Sequence, residues 1–283
     1  MHARARSPLL RMIQPIAAGL LMLAAAGCVF VGKTYEELRT AELAPTTETR
    51  GLDITTRNGA VTVSRAEGDE IVISATLKAR TPERLAQMKV VAEQNDAGIV
   101  VISPMPPADG WWSNEGCSID VAAPRSATVA GVKVRTDNGR ITVGGVAGRA
   151  DLKTSNGRII VHEVSGEIDA DTSNGRIELT DVAGPVTADT SNGSVLVRLT
   201  PEGRGPVRID TSNGPVTLEI GPEFAGVLSL KTSNGSIDVP DGVRAESRRR
   251  RSAELVLGGG SEAGRSVVTT SNGRIRVKLL EVN

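Results

Sequence analysis

The chain has 283 residues, and Lys+Arg and Asp+Glu number 33 each, so the formal net charge at pH 7 is zero. That balance excludes the basic excess with which a dedicated nucleic-acid binder displaces counterions. Aromatic residues make up only 2%, which argues against a large ring-filled enzyme core and for a slim interior of Val, Ile, Leu, Ala and Thr, as in a solenoid.

The first segment reads as a targeting signal. Arg4, Arg6 and Arg11 precede a mostly apolar run from Met12 to Ala26, which Gln14, Pro15 and Gly19 interrupt. The run is too short and too broken for a good membrane span, and small residues close it at Ala25-Ala26-Gly27-Cys28. It resembles a bacterial lipoprotein signal, with residues 1–27 removed and Cys28 lipidated; an ordinary secretory signal is the plainer alternative. Several acyl chains on Cys28 hold a protein on a membrane durably. Val29 after the cysteine resembles the outer-membrane sorting default of a Gram-negative cell. The expected location is therefore the bacterial cell envelope. Cys117 is the only other cysteine. Its alternating context predicts a strand and a buried, inert thiol.

Residues 28–50 read as a tether, and the capping-box spacing of Thr34 and Glu37 predicts one short helical turn. In the expected first coil and cap, residues 51–130, Ile71 to Leu77 alternate as a strand. Thr81-Pro82-Glu83 opens a short helix to about Gln87. Lys89 to Gln94 and Ile99 to Ser103 form a hairpin across Asn95-Asp96-Ala97-Gly98. Trp111 and Trp112 follow in a loop, either to cover the open end of the core or as an exposed tip for a partner or sugar.

The strongest signal is an internal repeat. Asn-Gly occurs at Asn58, Asn138, Asn156, Asn174, Asn192, Asn213, Asn234 and Asn272; from Asn138 the spacings are 18, 18, 18, 21, 21 and 38. The last is close to twice the unit and suggests one rung that has lost its Asn-Gly. Apolar residues stand two and four positions after each Gly, as in Ile159 and Val161. Before it runs apolar-x-apolar-x-Thr, as in Ile168, Ala170 and Thr172. Period two means strand. Asn-Gly between such runs is ordinarily a hairpin signal, so an antiparallel meander is the competing architecture. The identity of equivalent positions favours stacking like on like, about 4.8 Å apart. The predicted fold is all-β: a parallel β-solenoid (β-helix) of about 18–21-residue coils over residues 131–283, with an N-terminal β-hairpin and short-helix cap. Asn and Gly are expected at the corner because both accept left-handed backbone cheaply.

The mature chain also resembles the bacterial putative-adhesin family of β-strand repeats, a domain-of-unknown-function family. Ser118-Ile119-Asp120-Val121-Ala122-Ala123-Pro124 looks like its entry to the repeats. The Thr-Ser-Asn-Gly-Arg-Ile units look like its core. Leu255-Val256-Leu257-Gly258-Gly259-Gly260 and Val267 to Ile275 look like its ending. The resemblance runs from about residue 50 to the end and implies a surface solenoid. It supplies no ligand and no catalytic residues.

No catalytic constellation stands in the sequence. His162, the only histidine outside the signal, faces outward by parity. No metal-ligand spacing and no cofactor motif are present. Outward positions form columns: Arg135, Lys153, Asp171, Asp189, Asp210 and Lys231 before the Gly, and Arg140, Arg158 and Arg176 after it. Diagonal pairing of Arg158 and Arg176 with Asp171 and Asp189 is the expected neutralisation. The one charge run, Arg248-Arg249-Arg250-Arg251, is expected to loop out of a degenerate coil, where it is either solvated or in contact with an anionic lipid or polymer. These features predict a non-enzymatic scaffold or adhesion-type binding module with a protein or glycan ligand. The alternative is an envelope-stress or signalling accessory that binds a membrane protein, anionic lipid or polysaccharide.

Overall fold

The computed structural model describes residues 34–43, 50–125, 129–241, 243, 245–258 and 264–280. The signal segment and Cys28 lie outside the described residues. The fold is all-β, apart from one helix, Pro82–Gln87. Strands alternate between two long, mostly parallel sheets of 11 and 12 strands. Residues after each Asn-Gly enter the first sheet and residues before it enter the second.

Equivalent positions stack in register, so the meander is excluded. Asp151, Asp169 and Thr187 are successive partners in the second sheet, as are Thr154, Thr172, Thr190 and Thr211. In the first sheet Ile141, Ile159, Ile177, Val195 and Val216 follow one another. The alternate residues pack between the sheets as one continuous aliphatic core. The burial pattern of Ile168–Thr172, buried at every second residue, is the period-two signal of the sequence made physical.

Stacking order departs from chain order at both ends. Along the stack the coils run 99–124, 51–66, 131–146, 149–164, 168–182, 186–199, 207–220, 265–279 and 226–238. The coil 51–66 is held between two coils that follow it in the chain. The final coil, 265–279, slides between two that precede it: Arg208 to Thr211 pair on one side and Val227 to Thr232 on the other. The 38-residue spacing is therefore not a lost rung. It holds an antiparallel hairpin, Ala245–Arg249 and Ser252–Leu257, which covers the edge of the second sheet, and the return of the chain into the stack.

The expected hairpin is observed as Lys89–Gln94 with Ile99–Met105, pairing antiparallel at the other edge of that sheet. The helix is also observed, with the Thr81 hydroxyl accepting from the Arg84 N–H. The helical turn expected at Thr34 is not. Tyr35–Leu43 is a nine-residue strand, antiparallel to Ile71–Ala79. Pairing an open sheet edge outweighs one capping box, because it satisfies a whole row of backbone groups. The segment 35–43 is thus built into the sheet rather than free tether.

The corner chemistry also differs from expectation. No Asn or Gly of the Asn-Gly corners has positive φ. Glycine is required by close approach: a Cβ on Gly157, Gly175 or Gly193 would lie 1.8 Å from the carbonyl oxygen of the glycine one coil away. Asparagine is used for its amide. Asn138 Nδ2 donates to Asn58 Oδ1, and the chain of amides continues through Asn156, Asn174, Asn192, Asn213 and Asn272 to Asn234, with every step 2.7–2.9 Å. Inside the corner, buried Thr172 donates to Gly157 O and Thr190 to Gly175 O, both at 3.1 Å. The threonines are internal for this reason: each satisfies a buried carbonyl that the tight glycine turn leaves over.

Candidate functional site

At the N-terminal end, the loop after Met105 closes on the helix Pro82–Gln87 through one guanidinium. Arg84 donates to both carboxylate oxygens of Glu115 at 2.6 and 2.8 Å, to Asp109 at 2.7 Å and to the carbonyl of Gly110 at 2.8 Å. Its plane lies 3.8 Å from the ring centre of Trp112, whose indole N–H donates to Asp109. Glu115 is fully buried. Hydrogen bonds from Arg84 hold its carboxyl below the ordinary carboxylate range, against the opposing effect of burial. The same guanidinium lowers Asp109. The carbonyl of Glu115 accepts from Asn58 Nδ2 at 2.8 Å, so this cluster terminates the amide ladder. Trp111 packs against the core, whereas Trp112 remains 43% exposed. Sequence reasoning found the tryptophans but missed Arg84, Asp109 and Glu115. Arg84 stands 25 and 31 residues from the two acids, and the three carry no shared motif.

Along the sides, Lys153, Asp171, Asp189 and Asp210 form the expected column, but Lys231 does not follow Asp210, because the inserted coil places Thr269 between them. Burial, then the neighbouring Asp210 and Asp171, raise the Asp189 carboxyl. The expected diagonal pairing does not occur. Arg176 pairs with Glu178 at 3.2 Å, Asp171 with Lys153 at 3.8 Å and Asp151 with Arg135 at 3.2 Å. The arginines 140, 158 and 176 stand at the entry to the first sheet, whereas the aspartates lie on the outer face of the second. Among the described residues, no group of three or more His, Cys, Asp or Glu side chains is placed to hold a metal ion. His162 is exposed, with its ring above Gly144. Cys117 is buried, and burial pushes its thiol up to about 12.

At the C-terminal end, the arginine run is no loose loop. Arg249 pairs with Ser252, so Arg250 and Arg251 form the turn of the covering hairpin. Arg251 is tied down by its carbonyl, which accepts from the Thr232 N–H at 3.0 Å. Two adjoining hollows flank this turn. One is lined by Lys231, Arg249, Arg250 and Arg251; the other by Arg250, Arg251, Arg274 and the last rungs of the amide ladder. The side chain of Arg248 lies outside the described residues. Sequence reasoning missed Arg274 here, because only insertion of the last coil brings it beside residues 250 and 251.

These features define an all-β repeat protein of two mostly parallel sheets, with polar chemistry concentrated at its ends. A family model described as "Domain of unknown function (DUF7330)" matches residues 151–254. Comparison with curated proteins gives no match. Among solved structures, the chain is similar to a putative cell adhesion protein from Clostridium sporogenes, at 11% identity over 88% of this chain and 100% of the other, TM-score 0.36. It is similar to a putative adhesin from Bacteroides fragilis, at 11% identity over 85% and 97%, TM-score 0.39. A putative lipid binding protein from Parabacteroides distasonis is similar at 12% identity over 87% and 97%, TM-score 0.27. Among the described residues, no helix is long and apolar enough to cross a membrane.

Proposed function

We propose that the chain is a non-enzymatic binding and scaffold module of the bacterial cell envelope, held on a membrane through lipidated Cys28. The observation that carries this reading is the uninterrupted ladder of eight amides from Asn58 to Asn234, which makes the stack a stiff rod with repeated outer positions. A rod of 18–21-residue coils, with the hairpin and helix near one end as its cap, presents a long surface at a fixed distance from its anchor. Trp112 at the capped end offers an exposed aromatic contact for a protein or glycan. Membrane fractionation and acyl labelling test the anchor: the wild-type chain is expected in the membrane fraction with label, and Cys28→Ser in the soluble fraction without it. An unlabelled, soluble wild-type chain overturns the reading.

The second reading is an envelope-stress or signalling accessory that binds a membrane protein, anionic lipid or polysaccharide. It is favoured by the arginine hairpin, since Arg249, Arg250 and Arg251 make no ion pair among the described residues, while Arg84, Arg198, Arg204 and Arg265 each have a carboxylate.

A further inference from the structure

We infer that the C-terminal end of the stack carries a binding site for a phosphate group, formed by Arg249, Arg250 and Arg251 of the hairpin turn together with Arg274 of the inserted coil. This deepens the second reading and rests on it for the idea that the arginine turn meets a ligand. Three observations converge. Every ionisable residue lining the two hollows is cationic: Lys231, Arg249, Arg250, Arg251 and Arg274, with no Asp or Glu among them. One acid, Asp238, lies 3.8 Å from Arg274 and also holds Arg276 at 3.5 Å, so it neutralises this group only in part. The backbone beneath is fixed. The hairpin pairs along Gly226–Thr232, and Arg274 follows a rung bonded on both sides, to Asn213 and to Asn234.

Guanidinium forks match tetrahedral oxyanions, whose several oxygens accept paired N–H donors. Cations brought from two segments around one hollow suit the tetrahedral oxygens of a phosphate better than a single planar carboxylate. The arginines of the turn repel one another when the site is empty, and an anion relieves that repulsion. The phosphate is carried either by a lipid headgroup or by a small soluble ester. In both cases the recognised group is the same.

The test uses residues 28–283 with Cys28→Ser, so that no acyl chain contributes. Binding is measured to vesicles of phosphatidylcholine, to vesicles containing phosphatidylglycerol, and to pyrophosphate by calorimetry. The expected result is binding to phosphatidylglycerol vesicles or to pyrophosphate, and none to phosphatidylcholine alone. Vesicle binding that pyrophosphate competes away assigns a lipid source; pyrophosphate binding without vesicle binding assigns a soluble one. Replacing Arg249, Arg250 and Arg251 together by Ser should weaken binding roughly a hundredfold, and Arg274→Ser alone roughly fivefold. Arg158→Ser, which removes an exposed arginine elsewhere on the stack, should leave it unchanged. Unaltered melting of each variant establishes that the fold is kept. Binding to neither probe overturns the site, as does equal weakening by Arg158→Ser and Arg274→Ser, which would mean diffuse charge. The fractionation of Cys28→Ser decides the envelope reading separately, so the two failures are distinguishable.

Discussion

The amide of Asn272 donates to Asn213 Oδ1 at 2.8 Å, although 59 residues separate them. Asn234, which lies between them in the chain, stands on the far side of Asn272 and donates to it at 2.9 Å. The ladder is continuous only because the chain returns to fill its own gap.

An interior rung of that ladder should matter more than its last one. Asn174 donates to Asn156 and accepts from Asn192, whereas Asn234 makes a single amide contact, with Asn272. At about 0.5–1.5 kcal/mol net per hydrogen bond, Asn174→Ala should cost about twice what Asn234→Ala costs. Chemical denaturation of the two variants checks this; equal losses would mean that the ladder contributes no cooperative stability.

The corner glycines should tolerate no methyl group. In Gly175→Ala the new carbon would meet Gly157 O at 1.8 Å, while nothing lies within 4 Å of a Cβ at Gly68. Forcing the coils apart should cost roughly 3 kcal/mol or more, beyond the ordinary range for a single exposed change. Gly68→Ala carries only the strain of its φ of +121°, about 1 kcal/mol. The midpoint shift in urea distinguishes them.

Acid should loosen the N-terminal end first. Arg84 holds the Glu115 carboxyl below its ordinary range in the folded chain. The unfolded chain therefore binds the proton more readily. This contribution is fully present above the ordinary carboxylate pKa and is lost as pH falls through the depressed folded value. Glu115→Gln removes the charge but keeps the shape, so its stability should depend less on pH below the ordinary glutamate range. At neutral pH it should also be less stable than the wild type, because Arg84 keeps Asp109 but loses its buried carboxylate partner. Melting curves of both proteins against pH provide the check; parallel curves would discard the assignment.

Cys117 should be silent to thiol reagents in the native protein. Burial raises its thiol to about 12, so almost no thiolate exists at pH 8, and the group is 1% exposed. Full reactivity should appear only with global unfolding. Rapid native labelling would show that the strand Gly116–Pro124 opens locally.

The interior of this fold was legible because it is local and periodic. Asn-Gly, the inward threonine and the apolar residues two and four places later recur wherever the chain turns, and in-register stacking follows from their identity. The ends were not legible, for a physical reason. A parallel strand pairs through backbone groups that are the same in every coil, so nothing in residues 265–279 says which neighbours they join. The gap before Asn272 thus looked like a missing rung, and the arginine run like a loop. Thr34 and Glu37 misled because capping-box spacing also fits an edge strand. Of the candidate site, only the contiguous parts could be read. Arg248 to Arg251 and the tryptophans stood out, whereas Arg84, Glu115 and Arg274 become partners only through folding.

The out-of-order placement of both terminal coils restricts how such a protein grows. No further unit can stack directly on the coil 265–279, because neighbouring strands already flank it on both sides. A tandem duplication of 18 residues between Asn138 and Asn192 would instead lengthen the rod by one strand spacing, about 4.8 Å, and leave both ends untouched. Length is therefore set by copying in the middle, so rods of different reach can share the same two ends.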